Sequence, residues 1–112
     1  MSQHYYPTFY QERPILITIG WDRPLGYFFM TIEDEGKRGR GEEDYIIYSN
    51  LDEKKDIMAY PTSLHHYQSI LKKLDIHFPA HTLHEVYSDA LENVGNKTVW
   101  YSPHHLIREP FL

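Results

Sequence analysis

The strongest structural signal of the chain is the stretch Pro14-Ile-Leu-Ile-Thr-Ile-Gly-Trp-Asp22, Arg23-Pro24-Leu25-Gly26, Tyr27-Phe-Phe-Met-Thr-Ile-Glu33. Its two flanks are rich in β-branched and aromatic residues, which favour strands. Between them, Pro24 presets φ for the second position of a tight turn, and Gly26 suits the last position. The stretch therefore predicts a long β-hairpin.

Both faces of this hairpin are apolar. Side chains alternate between the two faces of a strand. One face of the first strand takes Ile15, Ile17, Ile19 and Trp21 and the other takes Leu16, while in the second strand Phe28, Met30 and Ile32 oppose Tyr27 and Phe29. A sheet that is apolar on both sides must be covered on both sides, by its own chain or by a partner.

The remaining periodicity predicts the rest of the fold. Residues 44–50 and 97–101 have strand composition, and apolar residues recur at helical spacing over 64–74 and 82–91. Thr82 and Glu85 fit a capping box at the start of the second helix, and Gly95 is placed to end it. We expect an α+β fold of order β-β-β-α-α-β: a three-stranded antiparallel meander plus a short fourth strand, with two helices packed on one face.

The length of 112 residues favours one domain over residues 1–112. We expect an aromatic N-terminal arm over residues 1–13, held extended by Pro7, and an irregular C-terminal tail over residues 102–112. The glycine-rich polar segment 34–43 is expected to be a mobile loop, and residues 52–61 a second polar loop.

The amino-acid composition of the chain excludes several kinds of functional site and partner. The chain has no cysteine, which excludes disulfides, thiolate ligands and a cysteine nucleophile. It starts without the pattern of a signal peptide, and no apolar run approaches the ~20 residues of a membrane span, so we expect a cytoplasmic protein without a membrane partner. The net charge of −5 argues against nucleic-acid binding, which requires a basic face. The only basic cluster, residues 37–40, is flanked by acids that cancel its field.

The eight histidines make metal sites a candidate. His81-x-x-His84-Glu85 resembles metal ligands at helical spacing but lacks the zincin order, and a cap at Thr82 would place His81 outside the helix. The pairs His65-His66 and His104-His105 cannot chelate alone, because neighbours on a helix diverge. No nucleophile elbow or phosphate loop is present. We therefore predict no cofactor, no metal site and no catalytic residues.

The remaining candidate is a protein-binding site. Trp21 and Arg23 flank the hairpin turn, and these residue types are enriched among binding hot spots. Tyr27 and Phe29 lie on the sheet face that two helices would leave uncovered. The ten tyrosines also suit an interface. Trp21, Arg23, Tyr27 and Phe29 are the predicted partner-binding residues.

These features favour a small acidic, non-catalytic interaction module. It would act as an adaptor, an inhibitor or an immunity-type protein, binding a protein partner or a second copy of itself through an aromatic sheet face. Two alternatives stay open. One is a divalent-metal site of histidines and carboxylates, or a small hydrolase-type enzyme. The other is an acidic nucleic-acid mimic.

Overall fold

The computed structural model describes residues 1–50, 64–102 and 107–110. The described strands and helices follow in the order β1 (Ser2–Tyr10), β2 (Arg13–Asp22), β3 (Tyr27–Asp34), α1 (Glu35–Gly39), β4 (Ile46–Ser49), α2 (His65–Lys73), α3 (Ala80–Leu91), β5 (Lys97–Ser102) and β6 (Ile107–Pro110). The α+β class is confirmed.

The described strands form one mixed sheet of six, in the order β4-β3-β2-β1-β5-β6. The predicted antiparallel meander is present as β2-β3-β4. The strand count and order differ from the prediction, because β1 and β6 join the sheet. β5 does not join the meander directly: it pairs parallel to β1, which separates it from β2.

The hairpin β2–β3 has the predicted turn. The Asp22 side chain accepts a hydrogen bond from the Leu25 N–H (3.2 Å), and the Asp22 carbonyl accepts one from the Gly26 N–H (2.7 Å). Gly26 has a φ of 70°, a left-handed conformation that glycine adopts without strain. The alternation is also as predicted, with Ile15, Ile17 and Ile19 buried in the core.

The segment expected to be an extended arm is the strand β1, with neighbours on both sides. Ser2, His4 and Tyr6 are buried and alternate with half-buried residues, the period of a strand. Pro7 is tolerated because it lies beyond the last registered pair between β1 and β5, Tyr5 with Trp100, and so resembles an edge position. In the expected irregular tail, residues 107–110 form β6.

The first predicted helix is confirmed as α2. Tyr67 and Leu71 are buried, and Leu64, Ile70 and Leu74 pack against the same core. The Tyr67 hydroxyl donates a hydrogen bond to the carbonyl of Phe28 (2.9 Å), which joins α2 to β3.

The second predicted helix is present as α3, but its capping box is wrong. The helix begins at Ala80 after Pro79, and Thr82 lies buried inside it. The left-handed residue after the helix is Asn93 (φ 50°) rather than Gly95. The buried residues of α3 are Thr82, Val86 and Asp89, whereas Tyr87 and Leu91 are exposed.

The expected mobile loop contains the short helix α1. The Asp34 side chain caps it by accepting a hydrogen bond from the Lys37 N–H (2.9 Å) and pairs with Arg13. Further ion pairs join Lys37 to Asp44, Arg38 to Glu33 and Glu35, and Arg40 to Glu42. The hydrogen bond from Lys37 and the charge of Arg13 together keep the pKa of Asp34 below its usual value despite burial. The expected loop 52–61 lies outside the described residues.

The two helices α2 and α3 cover one face of the sheet, which we call the helix face. The buried core lies between this face and the helices, and it includes Ile17, Met30, Tyr67, Val86 and Val99. The opposite side of the sheet is called the open face below. Among the helices of the described residues, none combines the length and apolarity needed to cross a membrane.

Candidate functional site

The open face carries most of the aromatic residues that do not enter the core. Strand alternation and the registered pairs assign to it Gln3, Tyr5, Pro7 and Phe9 of β1, Leu16, Thr18 and Gly20 of β2, Tyr27, Phe29, Thr31 and Glu33 of β3, Ile46 of β4, and Thr98 and Trp100 of β5. Of these side chains, Phe9 is 60% exposed and Ile46 is 43% exposed. Glu33 is the one charged side chain in this set.

A stacked aromatic pair lies in the middle of the open face. The rings of Tyr5 and Trp100 are 4.3 Å apart at their centroids and 18° from parallel. In the same cross-strand row, Thr18 of β2 is registered with Tyr5, and Thr31 of β3 is registered with Thr18. Aromatic and β-branched residues in such a row stabilise the sheet and present a flat, largely apolar surface.

Next to this row, Phe29 is held over Gly20. The two residues are registered across β2 and β3, and a Cβ at Gly20 would come within 2.9 Å of the Phe29 ring. Such a Cβ would also overlap the Ser2 carbonyl oxygen. Because Gly20 has no Cβ, β1 can approach β2 closely and the Phe29 ring can pack over Gly20.

The four predicted partner-binding residues do not lie together. Tyr27 and Phe29 are half-buried on the open face. Trp21 lies on the helix face, where it packs against Phe28 (5.2 Å between centroids), and its indole N–H donates to the side chain of Asn93 (3.2 Å). The register of the hairpin pairs Trp21 with Phe28, and alternation then places Tyr27 on the side opposite Trp21.

Arg23 lies at the end of the hairpin, beside the loop that follows α3. A Cβ added to Gly95 would come within 3.0 Å of the Arg23 Nη1 atom. Arg23 and this loop line an open groove of about 410 Å³, together with Met1, Pro24, Asn93 and Asn96. This groove is separate from the open face.

One end of the sheet is acidic. The end of β1, the start of β2, the end of β3 and the start of β4 meet there, with α1 beside them. The acids Glu12, Glu33, Asp34, Glu35, Glu42, Glu43 and Asp44 outnumber the bases Arg13, Lys37, Arg38 and Arg40. The exposed apolar residues Phe9 and Ile46 lie at this same end.

The candidate metal-binding histidines that the structure describes are dispersed. Within residues 1–50, 64–102 and 107–110, no three His, Asp or Glu side chains converge as metal ligands would. His65, His66, His81 and His84 are exposed on their helices. The pair His104-His105 lies outside the described residues.

A buried polar network on the helix face was missed in the sequence. Asp89 of α3 lies at its centre and is 2% exposed. Its Oδ2 atom is 2.6 Å from His4 Nε2, and its Oδ1 atom accepts a hydrogen bond from Lys97 Nζ (2.7 Å). The hydroxyl of Ser2 is a further partner. Three elements, β1, α3 and β5, are joined through this one carboxylate.

The network continues through Tyr101. The other ring nitrogen of His4, Nδ1, is 2.8 Å from the Tyr101 hydroxyl, which is 2.9 Å from Glu85 Oε1. Networks of tyrosine, histidine and aspartate hydrogen bonds stabilise buried polar groups when every member has a partner. His4 is 0% exposed and Tyr101 is 4% exposed.

Burial and hydrogen bonding shift the pKa of Asp89 in opposite directions. Burial favours the neutral acid and would raise the pKa of the carboxyl. The hydrogen bonds from His4, Lys97 and Ser2 outweigh it and hold the pKa of Asp89 below its usual value. Asp89 is therefore an ionised buried carboxylate with donors on both oxygens.

Comparison with known proteins adds no family: no family model, no curated protein and no solved structure matches the chain.

Proposed function

We propose that the protein is a non-catalytic interaction module that binds a protein partner through the open face of its sheet. The observation that carries the proposal is the aromatic surface around the Tyr5–Trp100 stack, which lies on the side away from α2 and α3. Tyr27 and Phe29 extend it across β3. Large, rigid side chains at the centre of a flat surface dominate the affinity of protein interfaces.

The partner that suits this surface has an apolar patch bordered by basic residues. Across the described strands β1 to β5, the set of residues assigned to the open face contains one charged side chain, Glu33, whereas the end of the sheet beside it is acidic. Opposite charge at the rim speeds encounter and selects among partners. An adaptor, an inhibitor or an immunity-type protein acting on a basic target would use such a surface.

A different protein with a basic surface suits the negative net charge of this chain better than a second copy of the chain does. The net charge of −5 makes two copies repel each other at a distance. A homodimer through the same face is the outcome that would replace this proposal.

The two other hypotheses draw less support. For a nucleic-acid mimic, the acids would have to form a continuous exposed stripe. Asp22, Asp34 and Asp89 are instead buried, and Asp44 is ion-paired. For a metal site or an enzyme, the network around His4 has suitable residue types, but His4 and Asp89 are buried in the described part of the chain.

The proposal is tested by capturing partners from the source organism with matched variants. Wild type, Trp100→Ala, Tyr27→Ala and the control Tyr87→Ala are immobilised side by side. Tyr87 is an exposed tyrosine on α3, away from the open face. Captured proteins are quantified by mass spectrometry, and the strongest is purified for calorimetry.

We expect one protein to bind wild type and Tyr87→Ala alike, and to bind Trp100→Ala at least ~30-fold more weakly, equivalent to about 2 kcal/mol. Circular dichroism must show that each variant is folded. A partner that binds Trp100→Ala as tightly as wild type would place the interface elsewhere. If wild type captures nothing that the open-face variants lose, the proposal is wrong.

A further inference from the structure

Arg23 differs from the other arginines whose side chains the structure describes, because it has no acidic partner among the described residues. The other three form ion pairs: Arg13 with Asp34, Arg38 with Glu33 and Glu35, and Arg40 with Glu42. A guanidinium stays charged at any physiological pH. The charge of Arg23 is therefore left for solvent ions or a ligand, in a chain whose net charge is −5.

The groove beside Arg23 offers hydrogen-bond donors and no acid. Its lining consists of Met1, Arg23, Pro24, Asn93, Gly95 and Asn96. The Asn93 Oδ1 atom accepts a hydrogen bond from the Trp21 indole N–H (3.2 Å), which leaves the amide nitrogen as the donor of this side chain. In the same way, the Asn96 Oδ1 atom faces the backbone nitrogen of Met1 (3.5 Å). One guanidinium and two amide groups together suit an anion.

Both sides of the groove are positioned by local structure. Asn93 follows α3 with a φ of 50°, a left-handed conformation that asparagine tolerates, and its N–H donates to the carbonyl of Ala90 (3.0 Å). On the other side, the Arg23 Nη1 atom lies over Gly95, where a Cβ would approach it to 3.0 Å. Gly95 is not among the glycines with positive φ, so the missing side chain matters there for space.

The size and the lining of the groove favour the carboxylate end of a small organic molecule. Its volume of about 410 Å³ lies within the usual range of small-molecule sites, about 300–1,000 Å³. A guanidinium binds a carboxylate through two parallel hydrogen bonds. Arg23 is the one charged side chain of the lining, which matches a singly charged carboxylate better than a phosphate with about two charges. Met1 and Pro24 supply apolar contacts for a short hydrocarbon tail.

We propose that this groove binds a small monocarboxylate with an apolar tail, and that Arg23 holds its carboxylate. The groove lies at the end of the sheet where β2 turns into β3, opposite the acidic end. Of the acids nearer to it in the sequence, Asp22 accepts a hydrogen bond from the Leu25 N–H within the turn, and Glu92 is exposed after α3. The site does not require the partner proposed for the open face.

Hexanoate is a suitable probe, because it combines one carboxylate with a short apolar chain. In isotope-labelled protein, the side-chain N–H signals of Arg23, Asn93 and Asn96 are followed by NMR as hexanoate is added. Hexanamide, which has the same chain without the charge, is titrated in parallel, and so is inorganic phosphate. We expect these three signals to shift in a saturable way with hexanoate at millimolar concentration, and neither hexanamide nor phosphate to match its affinity.

Arg23→Gln tests whether the guanidinium binds the carboxylate. The variant should bind hexanoate at least ~10-fold more weakly than wild type, because a charge-assisted pair of hydrogen bonds is lost. Arg38→Gln is the matched control, the same change at an exposed arginine beside the acidic end of the sheet, and it should bind like wild type. Both arginines are exposed, and the backbone signals of each variant report whether it is folded.

Several results would overturn the proposal. They are a wild type without a saturable shift, an Arg23→Gln variant that binds as tightly as wild type, and hexanamide that binds as well as hexanoate. Tighter binding of inorganic phosphate would show that the carboxylate assignment is wrong. Trp100→Ala, which removes half of the aromatic stack, should bind hexanoate like wild type. A loss of hexanoate binding in folded Trp100→Ala would contradict a site separate from the open face.

Discussion

Asp89 joins β1, α3 and β5 through one buried carboxylate. Its carboxylate accepts hydrogen bonds from His4, Lys97 and Ser2, which lie near opposite ends of the chain. A buried ion pair adds little net stability compared with a well-packed apolar group, but breaking one partner of it leaves charge unpaired and is costly. The network thus fixes the position of α3 on the sheet more than it adds stability.

Asp89→Asn should therefore destabilise the protein by about 3 kcal/mol at neutral pH. The amide removes the charge that balances Lys97 and turns a donor toward the donors around it. Urea unfolding followed by circular dichroism measures the effect. Asp75→Asn is the matched control: Asp75 is exposed with a φ of 57°, a conformation that asparagine tolerates well. A loss under ~1 kcal/mol for Asp89→Asn would contradict the importance of the network.

The same residue sets an acid-side pH dependence. Because the pKa of Asp89 is lower in the folded protein than in the unfolded chain, its contribution is present above the unfolded value, about 3.9, and disappears as pH falls through the folded value. The stability difference between wild type and Asp89→Asn should shrink steadily below about pH 4. An unchanged difference down to the acid transition would show that the folded carboxyl is not held ionised.

At the scale of elements, β1 makes both candidate sites possible. Its inward residues Ser2 and His4 supply the buried network, and its outward residue Tyr5 supplies half of the aromatic stack. Gly20 of β2 allows β1 to approach closely, because any side chain there would meet the Ser2 carbonyl oxygen. The two sides of the sheet are thereby linked through one strand.

Gly20→Ala should destabilise the fold by about 3 kcal/mol, since the new methyl group has no room between Ser2 and the Phe29 ring. Gly39→Ala is the control, because a Cβ there meets no atom within 4 Å and lies in the helix α1. That change should be neutral or stabilise by up to ~1 kcal/mol. Equal effects of the two substitutions on urea unfolding would show that β1 can shift to make room.

At the scale of the whole molecule, charge and topology bear on association. The chain carries a net charge of −5, and the excess of acids between Glu12 and Asp44 collects at one end of the sheet. The open face beside this end is apolar. A basic partner gains from both features, whereas a second copy gains only from the apolar one.

The protein alone should accordingly be a monomer by sedimentation at micromolar concentration, in low and in high salt. High salt screens the repulsion between copies, so it is the more demanding condition. A dimer that appears in both conditions and dissociates in Trp100→Ala would mean that a second copy covers the open face. The proposed partner would then have to be abandoned in favour of self-association.

Much of the fold could be predicted because local patterns specify it. The hairpin β2–β3 follows from Pro24, Gly26 and period-two alternation, and α2 follows from the spacing of Tyr67 and Leu71. Weaker local signals gave wrong predictions for two segments. Pro7 led to the expectation of an extended arm where β1 forms, and the hydroxyl of Thr82 predicted an N-cap three residues after the observed N-cap, Pro79. In both places tertiary packing overrode a local preference.

Half of the predicted binding residues, Tyr27 and Phe29, lie on the proposed surface, whereas the Tyr5–Trp100 stack was not foreseen. Strand alternation within one hairpin is local, so the faces of its residues follow from the sequence. Pairing between residues 5 and 100 is not local: it depends on β1 entering the sheet between β2 and β5.

The sequence by itself determined the α+β fold class, the hairpin, the meander and the sheet with two apolar faces. These features depend on side-chain periodicity and turn chemistry over short stretches. Only the tertiary structure decided the parallel pairing of β1 with β5, the aromatic stack and the network that joins His4, Asp89 and Tyr101. These features arise where both ends of the chain meet. Their energies depend on burial and on exact donor–acceptor distances, which no local pattern encodes.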